Sequence, residues 1–205
     1  MEQNFYITAS CKIENNQVFF DDSLVFEDVD KNSFGDFSKL VYKHFAISYP
    51  KFFKMDALSK LAFLASEIIL KDVVNPNQEN DIALVFANSV SSLDTDVKYQ
   101  ESIQDKSNYF PSPAVFVYTL PNICLGEISI KHALQTENAF FVLEDFSADF
   151  LVHYAQALLA TNKAEKVLLA WTEYFQEEYK VFACLIAKEG TKKGTIENIN
   201  SLYNS

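Results

Sequence analysis

The stretch IALVFA at residues 82–87 decides the fold class of this 205-residue chain. A short, continuous apolar run of this kind is typical of a strand that is covered on both faces of a sheet. Upstream of it, apolar residues recur at helical spacing over residues 56–72, and Asp56 can cap the first turn through its carboxylate. A buried strand preceded by an amphipathic helix predicts helices layered against a sheet.

Helices and strands continue to alternate further along the chain. Ser112 followed by Pro113 predicts a helix start, and Pro121 predicts that this helix kinks or splits into two pieces. Another helix should begin after Asp145 or Ser147, either of which can cap it. We predict strands at residues 139–143, 166–171 and 181–187.

The region before Lys54 gives a less regular pattern. Residues 5–10 alternate and are rich in aromatic and β-branched side chains, which predicts a strand, and the pair Asn15-Asn16 predicts a hairpin turn. Residues 18–20 and 24–26 fit short strands or extended loop. The pattern is compatible with pairing into the main sheet or with a separate flap.

These elements predict one α/β domain over residues 1–190, built on a mixed five-stranded sheet flanked by helices. A chain of this length can bury a substantial core in one domain. Residues 191–205 are polar, and we predict a partly disordered tail there.

Charge and composition exclude several classes of protein. The net charge of −11 disfavours nucleic acid, because phosphate binding needs clustered basic side chains. Residues 1–4 carry no basic segment followed by an apolar run, and no stretch approaches the ~20 apolar residues that span a bilayer. We therefore expect a cytoplasmic protein without a membrane span.

The sequence contains no motif for a cofactor or a metal. With only four glycines, neither of the phosphate-binding patterns GxGxxG and GxxxxGK[ST] can be written. The histidines and cysteines lie far apart: His44, His132, His153, Cys11, Cys124 and Cys184. They have none of the spacings of zinc sites or disulfide frameworks, so we predict buried free thiols, no metal and no cofactor.

Four stretches are more informative as an ordered set. They are MDALSKLA at residues 55–62, ALVFANSVSS at 83–92, SPAVFVYTLPN at 112–122 followed by GEISI at 126–130, and TEN at 136–138. The last two are similar to the run SPxxFxxxxxN, GxISI and GxN of the β-ketoacyl synthase family. Over about residues 5–188, the chain resembles the amino-terminal half of that family.

The resemblance implies a thiolase-like half fold. In the complete family fold, two βαβαβαββ halves pack in five layers, the active site lies between them, and two subunits pair through central strands. The first half carries a nucleophilic cysteine in a TACSS-like turn at the start of a buried helix, where the helix amino terminus favours the thiolate. The second half carries two histidines, or a histidine and an asparagine.

In this chain the family's elbow falls on residues 138–154 and has lost its nucleophile. Asp145 or Phe146 stands where the cysteine belongs, and Ser147 follows. No other cysteine lies at this turn, and no segment resembles the second half. Ser147 can cap the helix, or it can act as a nucleophile if a base stands beside it. His153 is six positions further on, roughly on the opposite side of a helix, so it is a poor base for Ser147.

We therefore predict a ketosynthase-like auxiliary or non-catalytic subunit, similar to a chain-length factor, in fatty acid, polyketide or aryl polyene synthesis. The expected partners are a full-length ketosynthase and an acyl carrier protein. Because a missing half leaves an apolar face to be buried, we expect a homodimer or a heterodimer.

Two alternatives use the same half fold differently. An independent acyl hydrolase or transferase would use Ser147, Asp145 or Glu144 in a pocket. An acyl-binding scaffold would have an apolar tunnel lined by some of the 19 phenylalanines, although core packing explains these rings equally well.

Overall fold

A computed structural model describes residues 5–75, 77–107 and 109–205. In this part of the chain, eight strands form one mixed sheet in the order β3-β2-β1-β7-β6-β4-β5, and β8 also pairs with β1. The strands are β1 Tyr6–Glu14, β2 Gln17–Phe20, β3 Ser23–Glu27, β4 Ile82–Asn88, β5 Asn138–Val142, β6 Lys166–Phe175, β7 Glu178–Ala187 and β8 Lys192–Lys193.

Helices flank the sheet on both sides. The α-helices are α1 Phe34–His44, α2 Ala57–Leu70, α3 Leu93–Gln104, α4 Pro113–Phe116, α5 Ile123–His132, α6 Ala148–Ala160 and α7 Ile196–Asn204. Two 3-10 helices lie at Pro50–Lys54 and Val117–Thr119. The predicted α/β class and the mixed sheet are confirmed.

The predicted number of five strands is too low. Strands β1, β7, β6, β4 and β5 form a continuous part of the sheet that ends at the β5 edge. In it, β5 and β6 are parallel to β4, and β7 is antiparallel to β1 and β6. The hairpin β2-β3 and the two-residue β8 extend it. Strands β2 and β3 contain the residues 18–20 and 24–26 that were expected as short strands or extended loop, and β8 has only the two polar residues Lys192 and Lys193. The region before Lys54 therefore pairs into the main sheet through β1.

The turn between β1 and β2 has the predicted hairpin geometry. Asn15 and Asn16 have φ angles of 51° and 60°, as a type I′ turn requires. The Asn16 N–H donates to the Tyr179 hydroxyl oxygen at 3.0 Å, and that hydroxyl donates to the Asn16 side-chain oxygen at 3.1 Å. The hairpin is thereby fixed to β7, which is distant in sequence.

The chain covers both faces of its sheet, although the missing half led us to expect one bare face. Alternation along β4 sends Leu84 and Phe86 to the first face and Ala83 and Val85 to the second. Helices α1, α2 and α5 pack on the first face, and α6 and α7 pack on the second. All seven residues of β4 are buried, which confirms the prediction from residues 82–87.

Capping and the proline break follow the sequence. The Ser59 N–H donates to the Asp56 carboxylate at 2.9 Å where α2 begins, and the Val115 N–H donates to the Ser112 hydroxyl at 3.3 Å where α4 begins. Segments Pro113–Thr119 and Ile123–His132 meet at 97°, so the predicted break is present. Of the described helices, none is by itself long and apolar enough to cross a membrane, and this bent pair meets those criteria only in combination.

The tail that begins at residue 191 is ordered in the structure, where we expected partial disorder. It contains β8 and then α7, whose first turn is capped by Thr195 accepting a hydrogen bond from the Asn198 N–H at 3.2 Å. Ile199 and Leu202 lie three residues apart and are both buried. A few apolar residues at helical spacing are enough to fix this segment, and its polar composition conceals them.

Candidate functional site

The elbow loop, residues 143–147, connects the end of β5 to the start of α6. The Leu143 N–H donates to the Asn88 carbonyl at 2.9 Å, which continues the β4-β5 pairing by one residue. Glu144 and Asp145 are exposed, while Phe146 and Ser147 are partly buried. Of the two residues predicted at the cysteine position, Phe146 is therefore the one that points into the protein.

The Phe146 ring is enclosed by aromatic side chains. It stacks on Tyr203 of α7 with ring centroids 3.8 Å apart and an interplanar angle of 11°. It also contacts Trp171 and Phe182 edge-on, at 5.8 and 6.2 Å. A phenyl ring offers neither a nucleophile nor a proton, so this position contributes packing and no chemistry.

Ser147 caps α6. Its hydroxyl oxygen accepts a hydrogen bond from the Phe150 N–H at 3.2 Å, as an N-cap residue does. His153 points away into solvent, where its Nδ1 lies 3.4 Å from the Asp149 carboxylate. The structure thus does not bring Ser147 and His153 together as a nucleophile and its base.

The remaining histidines lie elsewhere. The ring of His44 packs on Phe26, with centroids 4.8 Å apart. The Nε2 of His132 lies 2.9 Å from the Glu67 carboxylate, and this buried pair links α5 to α2. Within residues 5–75, 77–107 and 109–205, no group of three His, Cys, Asp or Glu side chains could hold a metal ion.

All three cysteines are buried and free. Burial raises the pKa of Cys184 to about 12 and, together with nearby carboxylates, raises the pKa values of Cys11 and Cys124 well above the usual range of a thiol. The Cys124 Sγ donates to the Pro121 carbonyl at 3.1 Å. Protonated, enclosed thiols are poor nucleophiles, and none lies at the elbow loop.

A network of charges surrounds the Tyr203 end of the site. The Lys180 ammonium donates to the Tyr203 carbonyl at 3.0 Å and lies 4.0 Å from the centre of the Tyr203 ring. It also pairs with Glu14 at 3.3 Å. Burial, followed by the charges of Glu173, Glu14 and Asp145, raises the pKa of Tyr203 above that of a free phenol. The phenol therefore stays neutral at physiological pH.

Two clefts beside β1 are unlike an acyl tunnel. One of about 80 Å³ lies between β1 and the end of α7, and it has Lys12, Asp22 and Ser205 among its lining residues. Another of about 300 Å³ is lined largely by hydroxyl and charged side chains on β1, at the β2-β3 turn and beside β8. Several of the phenylalanines are fully buried in the core: Phe34, Phe37, Phe52, Phe63 and Phe86.

The β5 edge surface is the other notable feature. Strand β5 is the last in the sheet order, and it pairs with β4 in an unbroken parallel register. Val142 at its end is 54% exposed, and Ile130 of α5 is 65% exposed. The segment leading into α5 exposes Phe116 and Leu120. We use the term β5 edge surface for β5, including Val142, together with Ile130 of α5, the helix that contacts β5.

Comparison with known proteins defines the fold. No family model and no curated protein sequence matches the chain. Among solved structures, it is similar to the ishigamide ketosynthase/chain length factor, with 13% identity and a TM-score of 0.64 over 90% of this chain and 62% of that chain. It is also similar to a structure of the ketosynthase ApeO in complex with its chain length factor ApeC from Xenorhabdus doucetiae, with 13% identity, a TM-score of 0.58, and 98% and 90% coverage.

A third similar structure contains AntDE and AntF, a type II polyketide synthase acyl-carrier protein in complex with its ketosynthase. There the identity is 16%, the TM-score is 0.60, and the coverage is 91% of this chain and 63% of that chain. The chain thus spans less than two thirds of the first and third matches and most of the second. It has the thiolase-like fold of ketosynthases and chain length factors.

Proposed function

We propose that this chain is a non-catalytic, ketosynthase-like subunit, similar to a chain length factor, that pairs with a full-length ketosynthase. The pair would work with an acyl carrier protein in fatty acid, polyketide or aryl polyene assembly in the cytoplasm. One observation supports the proposal: the chain has the fold of a synthase, and at the elbow, where the resemblance expects the nucleophile at position 145 or 146, the Phe146 ring stacks on Tyr203.

The inactive elbow favours an auxiliary role over independent catalysis. Condensation needs an ionisable thiol that can hold an acyl group, and a phenyl ring cannot form that thioester. The hydroxyl of Ser147 accepts the capping hydrogen bond from Phe150 instead of pairing with a base. A chain that keeps such a fold without its chemistry contributes by completing the structure of another chain.

The β5 edge surface supports the choice of partner. An open strand edge carries unpaired backbone groups, and exposed apolar side chains beside it make burial by another protein favourable. In the family that the chain resembles, two subunits pair through strands that lie at the centre of the dimer. In a heterodimer, the partner would supply the nucleophile that this chain lacks. The ApeO and ApeC structure is described as a ketosynthase in complex with its chain length factor. We therefore favour a heterodimer over a homodimer.

The experiment compares the purified chain with its mixtures. The masses of the chain alone, and of the chain mixed with the ketosynthase and carrier protein encoded beside it, are measured by light scattering, and each fraction is assayed for condensation of a malonyl-carrier substrate. We expect a stable complex, and we expect activity or product length to depend on it. The variants Ser147→Ala and Asp145→Ala should leave the activity of the mixture unchanged.

The opposite result would support the alternative of an acyl hydrolase or transferase. Turnover by the isolated chain, abolished by Ser147→Ala or by Asp145→Ala, would mean that the half fold carries its own chemistry. Binding of a fluorescent fatty acid by the isolated chain, without any complex, would favour an acyl-binding scaffold. Either outcome contradicts the proposed subunit role.

A further inference from the structure

The second face of the sheet is closed by the last helix of the chain. Helix α6 packs against β4 and β6, and α7 adds Ile199 and Leu202, which are 1% and 4% exposed. The same buried cluster contains Phe5 and several sheet residues: Ile7, Trp171, Phe182, Cys184 and Ile186. Removing α7 would expose a continuous apolar surface.

The segment before α7 has a fixed course. Residues Lys192–Lys193 pair with Tyr6 and Ile7, and the Gly194 N–H donates to the Phe5 carbonyl at 2.7 Å. At Gly190 an added Cβ would lie 2.5 Å from the Cβ of Tyr6, so only glycine fits this close crossing over β1. These backbone contacts therefore fix the position of α7 on the sheet.

The last turn of α7 lies on the elbow loop. Tyr203 stacks on Phe146 and also contacts Phe182, with ring centroids 6.0 Å apart. Lys180 of β7 holds this turn in place, because its ammonium donates a hydrogen bond to the Tyr203 carbonyl and lies against the Tyr203 ring. The helix thus covers both the sheet face and the side chain at the degenerate position.

We propose that residues 190–205 form a built-in cover over the Phe146 side chain of the elbow loop, so that this chain presents no reactive or acyl-binding surface at position 146. The cover supplies from within the chain the packing that this face needs. Two consequences go beyond a subunit role. A partner must bind elsewhere on the molecule, and a thiol restored at position 146 stays shielded for as long as the cover is in place.

Thiol labelling tests the cover directly. The three native cysteines are buried, so a folded chain has a low background with a chromogenic aromatic disulfide. A cysteine is introduced by Phe146→Cys, and the matched control is Asp145→Cys, one position earlier on the exposed side of the loop. We expect the cysteine at position 146 to react at least about tenfold more slowly than the one at position 145.

Opening the cover should remove the difference in reaction rate between the cysteines at positions 145 and 146. Tyr203→Ala, or deletion of residues 195–205, is combined with each cysteine variant. The thiol at position 146 should then react about tenfold faster, while the thiol at position 145 changes by less than about twofold. Equal rates at the two positions in the full chain, or no acceleration after either change, would overturn the proposal.

The number of reactive thiols controls for unfolding. A folded variant releases one equivalent, whereas an unfolded chain also exposes Cys11, Cys124 and Cys184. If the deletion unfolds the chain, Tyr203→Ala decides the outcome, because it keeps the buried Ile199 and Leu202 in place. No synthase is present in this assay, so its result is independent of whether the chain pairs with one.

Discussion

The two edges of the sheet are built differently. At one edge, β3 has five residues, and its pairing with β2 is interrupted by a bulge at Val25. Acidic residues surround it, with Asp21 and Asp22 in the preceding turn and Glu27 at its end. At the other edge, β5 is paired to β4 without irregularity, and its central residues are Ala139, Phe140 and Phe141 in the sequence NAFFV.

This difference indicates which edge is meant to be covered. Proteins protect free edges with short strands, bulges and charges, because an open edge recruits other strands. The β3 edge has all three devices, even though Leu24 on it is 50% exposed. The β5 edge is equally short and has the acidic residues Glu137 and Glu144 near its ends, but it has neither a bulge nor a charged residue within the strand. The bulge and Glu27 disfavour the pairing of another strand with β3, and β5 lacks both.

The largest effect should come from a charge placed on the β5 edge. Val142→Lys introduces an ammonium into the proposed interface, where its desolvation opposes association. We expect the affinity for the ketosynthase partner to fall by about a hundredfold. Leu24→Lys is the matched control, because Leu24 has nearly the same exposure on the other edge. Titration calorimetry measures the affinity of both variants for the partner. Equal losses of affinity would mean that the two edges of the sheet do not differ in binding.

A smaller effect should follow from removing the bulge. Deletion of Val25 leaves Phe26 opposite Val18 and Leu24 opposite Phe19, so β3 becomes a regular edge. We expect self-association of the chain to strengthen by about tenfold, measured by sedimentation at increasing concentration. Val25→Ala loses the same side chain but keeps the bulge, and it should stay like the parent. If the deletion variant remains as monomeric as Val25→Ala, the bulge is not what protects this edge.

The anchoring of the β3 side predicts a moderate loss of stability. Tyr179→Phe removes the hydroxyl that bonds Asn16 at the β1-β2 turn. The free energy of unfolding should fall by about 1 kcal/mol, the usual contribution of such a hydrogen bond. Urea denaturation followed by circular dichroism measures it. Tyr6→Phe serves as the control, and a similar loss there would argue against a specific anchor.

The smallest effect concerns acid stability at the loop after β3. Burial raises the pKa of Asp28, but hydrogen bonds from Asn32 and Asn16 outweigh it, so the net shift is downward. A carboxylate with a lowered pKa stabilises the folded state above its unfolded pKa, which is about 4, and this contribution disappears as the pH falls through the lower folded value.

Urea midpoints at pH 7 and pH 3 measure this contribution. Asp28→Asn should lose stability at pH 7 and differ less from the parent at pH 3. Asp30→Asn, on the exposed side of the same loop, is the control and should behave like the parent at both pH values. A pH dependence of Asp28→Asn identical to that of the parent would show that this carboxylate does not hold the loop.

The sequence predicts the elements that have local signals. Asp56 and Ser112 cap the helices expected of them, and Pro121 divides the helical segment as expected. Helix α1 escaped prediction because its polar residues resemble a loop, although Phe34, Phe37 and Val41 are spaced as one helical face. Local periodicity was present there, but the composition concealed it.

The candidate site also has one part with a local sequence signal and one part without. The resemblance predicts the elbow at residues 145–147, and this placement stays a prediction, whereas the helix cap at Ser147 follows from its residue type and is present. The stacking of Tyr203 on Phe146 joins residues far apart in sequence, and no local pattern predicts such a contact. The order of strands is equally non-local, so the sequence could not identify which strand lies at an open edge.

The central position of β1 has a consequence for how the protein is made. Strand β1 is synthesised first, but its long pairing is with β7, and the anchoring contact between Asn16 and Tyr179 spans 163 residues. At a rate of roughly 5–20 residues per second, the ribosome needs on the order of ten seconds to synthesise the residues between them. The β1-β2 hairpin therefore forms before its partner strand β7 exists, and the pairing of β1 with β7 must wait until β7 has been synthesised. Expression at lower temperature or with added chaperones should raise the soluble yield of this chain.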